Sequence, residues 1–269
     1  MIISPTTRVL YEHNPLAEVL CQIRFENINC EVPLDAGLRH ELISMGYGVQ
    51  AQEQEISFNF MMTPEEGTSL PPRPLPTTSV FHFSSEDGAW KVSISSTFLA
   101  VTCSAYQNWD YFKPKVREIA DLFHSYAPLT HYIRIGLRYK DIIEREPLGL
   151  AGTPWSRLIS PFLLGPLSLG SLSDDVLLSE EETENFVSQA QMNLDDCKLL
   201  LQSSLLTSVD GSTRAFLIDA DFFDSVEHEP DFLASNGKLD EYLDVLHNNA
   251  GALFRRAITE ELHAALCPR

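Results

Sequence analysis

Between Leu16 and Phe25 apolar side chains recur at every second position. Ala17, Val19, Cys21, Ile23 and Phe25 share one face, while Glu18, Gln22 and Arg24 share the other with Leu16 and Leu20. A period of two belongs to a strand with one face on a core, and Pro15 just ahead of it removes no central ladder bond. The pattern returns at Tyr132–Ile143, where Ile133, Ile135, Leu137 and Tyr139 fall on one face and Tyr132, Arg134, Gly136, Arg138 and Lys140 on the other.

The rest of the chain supplies partners for these strands. Ser79–Ser85 and Trp90–Ser96 flank Glu86-Asp87-Gly88, and Asp-Gly between apolar runs is a hairpin signal. With Phe98–Ala105 this makes a three-strand meander, which implies an antiparallel sheet. Further strands are expected at Ile56–Met62, at Glu184–Leu206 with a turn at Asp195-Asp196-Cys197-Lys198, and at Arg214–Phe222 with Phe216, Ile218, Ala220 and Phe222 inward. Leu34–Met45 reads as a short helix behind Pro33. Trp109, Phe112, Val116, Ile119, Phe123 and Tyr126 form a helical stripe, and so do Leu239, Tyr242, Leu243, Leu246, Ala250, Leu253, Phe254, Ala257 and Ile258. Pro114 interrupts the first stripe, so either that helix begins near Lys113 or Trp109–Phe112 forms a separate turn. Thr259, Leu262 and Leu266 suit a last short helix. The Pro-rich stretch 63–78 reads as a stiff, extended surface loop.

These elements define an α+β fold of antiparallel sheets with long packing helices. Its expected parts are an N-terminal α+β half (1–143), an irregular Pro/Gly-rich flap (144–183, with a short helix at Trp155–Ile159) and C-terminal strands plus helices (184–269), packed as one unit. Each half reads as several strands followed by a long helix, the pattern of a duplicated unit, although no internal sequence repeat is visible.

Thirty-eight acidic against 19 basic residues give a formal charge of −19, which opposes nucleic-acid phosphates and anionic membranes and leaves proteins with basic patches as compatible partners. The five cysteines, at 21, 30, 103, 197 and 267, are scattered without a CxxC pair, so reduced cytoplasmic thiols are expected rather than disulfides or a zinc knuckle. The start Met1-Ile2-Ile3-Ser4-Pro5 has no signal-peptide pattern, and Pro161, Gly165, Pro166 and Gly170 interrupt the longest apolar stretch.

Three segments, Asn14-Pro15-Leu16-Ala17-Glu18-Val19, Arg134-Ile135-Gly136-Leu137-Arg138-Tyr139 and Leu246-His247 before Phe254 and Ile258-Thr259, together with Trp109 opening a helix, resemble a sporadically distributed prokaryotic family of uncharacterised proteins of similar length. The resemblance spans nearly the whole chain. That family commonly continues the arginine strand with Ile-Asn, where this chain has Lys140-Asp141. Its patchy distribution implies an accessory part of a mobile-element or defence-type gene module, which is association rather than mechanism.

Candidate chemistry centres on Arg134 and Arg138, about 13 Å apart on one strand face and each able to hold a carboxylate or phosphate bidentately. Arg24, Glu18, Asp219, Asp221 and His247 complete the candidate ligand-binding set. The competing reading pairs these charges across strands. Asp219-Ala220-Asp221 with Asp224 lacks the glycine of a calcium loop. The eight histidines form no HxH or HxxxH pair, and no Walker, GxGxxG or GxSxG motif occurs. No cofactor, metal or catalytic residue is therefore assigned. The expected role is a non-catalytic protein-interaction component whose protein partner is unidentified, with self-association compatible. The alternative is a sensor or enzyme for a small nucleotide-like anion on the Arg134/Arg138 strand.

Overall fold

The alternating segment at Leu16–Phe25 forms β1, and its apolar face becomes the middle of the core: Val19, Cys21, Ile23 and Phe25 are all buried. In the computed structural model the described residues are all except 1, 27, 29–31, 33–34, 56–57, 60–72, 75–77, 128–131, 169–170, 174–175, 178–179, 181, 209–210, 212 and 225–237. Most of the expected strand 56–62 and of the Pro-rich stretch 63–78 thus lies outside the described residues, as does Cys30.

After β1 the elements run α1 (Ala36–Ser44), β2 (Val49–Glu55), β3 (Phe58–Asn59), β4 (Arg73–Pro74), β5 (Thr78–Ser84), β6 (Trp90–Ile94), β7 (Phe98–Cys103), α2 (Trp109–Tyr126) and β8 (Tyr132–Glu144). There follow α3 (Trp155–Leu158), α4 (Pro161–Leu164), a 3-10 turn (Gly165–Ser168), β9 (Ser171–Ser173), β10 (Val176–Leu177), β11 (Val187–Asn193), β12 (Lys198–Thr207), β13 (Arg214–Phe223), α5 (Lys238–Ala257) and α6 (Glu260–Ala265). Nine strands make one antiparallel sheet in the order β11-β12-β13-β8-β1-β7-β6-β5-β2. The α+β reading holds, with one large sheet as its frame.

The core lies between one face of this sheet and the helices. α2 places Trp109, Phe112, Val116, Ile119 and Phe123 against it, and Phe123 stacks on Phe25 at 5.4 Å. α5 adds Leu239, Leu243, Leu246 and Leu253, and Phe216, Ile218, Ala220 and Phe222 of β13 point inward as expected. Asp35 caps α1 by accepting from the Gly37 and Leu38 N–H groups, and Thr259 caps α6.

Three features depart from the sequence reading. The first is α2, which runs unbroken from its Asn108 cap through Pro114. The proline removes the N–H that would reach the Asp110 carbonyl, and Asp110 is exposed, so water can serve that carbonyl. The second is a β-bulge. β1 and β8 shift register between the pairs Arg24–Arg134 and Phe25–Tyr132, so Ile133 is an extra residue that inverts the alternation. Tyr132 is therefore fully buried, with its hydroxyl 3.1 Å from His124 Nδ1, while Ile133 is 42% exposed. The third is the expected flap, which places Trp155, Leu158, Ile159, Leu163 and Leu164 in the core. It is tied to the C-terminal helices by the Ser160 N–H to the Ala257 carbonyl and the Thr259 N–H to the Leu158 carbonyl.

Trp155, 1% exposed and beneath the Arg145 guanidinium at 4.4 Å, is a keystone of that segment. Trp155→Ala is expected to lower the unfolding free energy in urea by about 3–5 kcal/mol, whereas Phe162→Ala next door should change it by less than about 0.5 kcal/mol. Phe162 is 53% exposed.

Candidate functional site

The candidate residues divide between the two faces of the sheet. On the face turned away from α2 and α5, β1, β8 and β13 bring six of them together. Arg134 donates from Nη2 to Asp221 Oδ2 at 2.6 Å and from Nη1 to Gln22 Oε1 at 3.2 Å, and its guanidinium lies 4.4 Å from the centre of the Phe223 ring. Arg138 grips Asp219 bidentately, Nε to Oδ1 at 2.6 Å and Nη2 to Oδ2 at 2.5 Å. Lys140 donates to Glu18 at 2.6 Å. Arg24 sits opposite both Arg134 and Phe98, is exposed, and has no ion partner among the described residues.

The arginines lean diagonally. Asp221 is the register neighbour of Arg138, and Asp219 of Lys140, so Arg138 reaches a carboxylate two residues off its own rung, and Arg134 reaches past Gly136 to the one opposite Arg138. Gly136 permits this for Arg134: a Cβ there would lie 2.6 Å from Arg134 Nη1, so the side chain lies across the bare glycine. The pair is tightly covered, with side-chain exposures of 18% for Arg134 and 17% for Asp221. Burial raises the Asp221 carboxyl, and Arg134 and Arg138 offset only part of that rise; the hydrogen bonds that Arg138 donates to Asp219 raise its own value.

His247 lies on the other side of the sheet. Its ring stacks on Trp109 at 4.2 Å and 9°, and its Nδ1 is 2.7 Å from the Tyr139 hydroxyl. Trp109 Nε1 donates to Asp244 at 2.5 Å, and Lys113 joins the same carboxylate. Burial, helped by Arg8, pushes His247 down to about 4, so the ring is neutral at pH 7. Burial lifts the Tyr139 phenol well above its ordinary value. Trp109, Tyr139 and His247 therefore meet in one polar network that joins α2, β8 and α5. His247 shares no site with the arginines.

A concavity of about 280 Å³ lies on the arginine face, lined among others by Leu20, Gln22, Val80, His82, Ser93 and Phe98. In it Ser93 Oγ is 2.8 Å from His82 Nδ1, and His82 Nε2 is 3.5 Å from Glu53 Oε2. A serine, an imidazole and a carboxylate in line suggest a nucleophile, but three details oppose it. The 3.5 Å contact lies within ion-pair reach yet is not aligned as a hydrogen bond. Ser93 is only 5% exposed. Backbone N–H groups that could form an oxyanion hole are engaged in the ladder between β5, β6 and β7. The sequence reading missed this trio. Counting outward from the Asp87-Gly88 turn would have found it, because the hairpin register sets His82 opposite Ser93.

The described cysteines 21, 103, 197 and 267 are free, and burial pushes Cys21 and Cys197 up to about 12, far from a reactive thiolate. Asp224, the last acid of the Asp219–Asp224 run, accepts from the Ile135 N–H on β8. Among the described residues no group of three or more His, Cys, Asp or Glu is placed to hold a metal ion. No described helix is long and apolar enough to cross a membrane. Comparisons with protein-family models, with curated proteins and with solved structures find no match to this chain.

Asp141 is a buried acid outside the ion pairs seen among the described residues. It is 8% exposed, lies on the core face of β8 between Tyr139 and Ile143, and is raised to about 7 by burial, with Asp219 adding repulsion. Its folded value exceeds the unfolded one, so the folded state holds an extra proton between about pH 4 and 7 and loses stability as pH rises through that window. His247 acts in the opposite sense: its lowered value costs stability as pH falls from about 6.5 to 4. Asp141→Asn is expected to stabilise the fold by roughly 1–3 kcal/mol at pH 8, with the gain gone by pH 4, as read by urea unfolding across pH. Gly136→Ala should displace the Arg134 guanidinium from Asp221 and lower stability by roughly 1–3 kcal/mol, whereas Gly251→Ala, whose added Cβ meets nothing within 4 Å, should not.

Proposed function

We propose that this chain is a non-catalytic protein-interaction component, in keeping with the accessory role that its resemblance to a sporadically distributed prokaryotic family implies. The observation that carries the reading is the neutralisation of Arg134 and Arg138 by Asp221 and Asp219. A guanidinium held by a carboxylate at 2.5–2.6 Å would have to exchange that partner for any incoming phosphate, in a chain whose net charge already repels anions. The burial of His247 in a neutral stack and the low exposure of Ser93 oppose two further candidates for acid–base or nucleophilic work. Placement in a mobile or defence-type gene module rests on the resemblance alone.

The proposal includes a duplicated architecture, which the strand order supports. From the centre outward, residues 16–126 place β1-β7-β6-β5-β2 before α2, and residues 132–257 place β8-β13-β12-β11 before α5. In each set the first strand is central, a connection reaches the outer edge, and a meander returns to the first strand.

The anion-binding alternative makes a distinct demand. If the interaction reading is right, millimolar nucleotides and sugar phosphates leave the melting temperature within about 1 °C of the unliganded value, because a ligand stabilises only in proportion to the logarithm of its saturation. Co-expression with the products of adjacent genes should yield a complex that co-elutes. A nucleotide-induced rise in melting temperature that Arg138→Ala abolishes would overturn the proposal in favour of a ligand site.

A further inference from the structure

A sheet edge offers a row of unsatisfied N–H and C=O groups, and proteins that stay apart blunt such edges with charges, prolines, bulges or covering segments. This sheet ends at β2 on one side and β11 on the other. The β2 sequence, Val49-Gln50-Ala51-Gln52-Glu53-Gln54-Glu55, carries two acids. The β11 sequence, Val187-Ser188-Gln189-Ala190-Gln191-Met192-Asn193, carries no charge, no proline and no glycine, in a chain where 21% of residues are charged. It pairs with β12 through seven consecutive residues without a register shift, so no bulge twists it away. Gln189, Ala190, Gln191 and Asn193 are exposed, and Val187 is 58% exposed, so the strand is not covered. Among the described residues none of the usual protective devices is present on this strand.

We infer that β11 pairs antiparallel with β11 of a second copy of this chain, about a twofold axis at Ala190, joining two sheets edge to edge. This deepens the interaction reading by naming a surface, and rests on it only in treating the chain as an interaction protein. The strand is self-complementary about that axis. Ala190 meets Ala190, which leaves the backbones free to approach, and Gln189 of each copy faces Gln191 of the other, where both amides can donate and accept. Charge selects a second copy over an unrelated partner. A basic partner would be matched by an acidic strand, and β11 offers it no charge at all. Two chains of −19 each repel, and this uncharged edge is where they can approach without opposing like charges strand to strand. Glu184 and Asp196 flank the strand at its two ends. Pairing therefore brings acids of both copies towards each other there, and salt should strengthen it by screening that repulsion.

Sedimentation equilibrium of the full chain tests this. The expected mass is twice 30.2 kDa at tens of micromolar, with tighter association in about 0.5 M than in about 0.05 M NaCl. The double variant Gln189→Lys/Gln191→Lys sets lysines opposite lysines and should weaken association by at least about 100-fold, while Gln52→Lys on the β2 edge leaves it unchanged. Hydrogen exchange of the unsubstituted protein gives an independent reading, since the outward amides of β11 should gain protection as concentration rises. A chain that stays monomeric at high salt, a dimer that survives the double substitution, or a dimer lost on Gln52→Lys overturns the inference. A monomer that still co-elutes with an adjacent-gene product would sink the dimer and leave the interaction reading standing.

Discussion

The register of β8 against its two neighbours is the constraint on which the molecule turns. Slipping this strand by one residue would carry Arg134 and Arg138 under the helices and push Ile135 and Leu137 to the far face, so each face enforces the setting of the other. The apolar side holds it through burial, since Ile135 and Leu137 are fully buried against both halves of the core. On the polar side the arginines reach diagonally to Asp219 and Asp221 and lock β8 to β13, while Lys140 reaches Glu18 and locks it to β1. A half-buried ion pair is a modest source of stability, but a misregistered one would leave charges under the helices unpaired, at a cost of several kcal/mol. The pairs therefore act more on which structure forms than on how stable it is.

The helix side shows how much polarity this core admits. Tyr139 and His247 satisfy each other, Trp109 stacks on His247, and Asp244 accepts from Trp109 and Lys113. The stack joins two helices to the central strand through contacts whose geometry is narrower than that of aliphatic packing. Asp141 is the exception, a carboxyl raised towards neutrality by its surroundings. An asparagine there would have the same shape and no charge to desolvate.

What could be read in advance follows from where the physical signal is local. β1, β6, β7, β12 and β13 were legible because alternation and turn residues sit within a few positions of each other, and both long helices because their stripes are continuous. β2 was not, because Gln and Glu on an edge strand bury little and leave no alternation to detect, and its place depends on β5. The bulge at Ile133 was invisible because an extra residue shows only when the partner strand is known. Arg134, Arg138, Asp219 and Asp221 could be named, as could the choice between pairing and ligand binding, but the choice itself depends on diagonal contacts between strands more than 80 residues apart. Ser93 and His82 escaped notice because neither belongs to a motif, and His247 was grouped with the arginines because sequence does not tell which side of a sheet a helix covers.

The central pairing of β1 with β8 has a kinetic corollary. These strands are separated by more than 100 residues, whereas β5-β6-β7 and β11-β12-β13 are knit from neighbours along the chain. Closing a long loop carries an entropy penalty that short turns avoid, so the meanders have the advantage in time, and the seam at the middle of the sheet waits for both. Until it closes, β1 and β8 each present an unpaired apolar strand to solvent, and that interval, rather than any exposed edge of the finished molecule, is when the nascent chain is most open to aggregation.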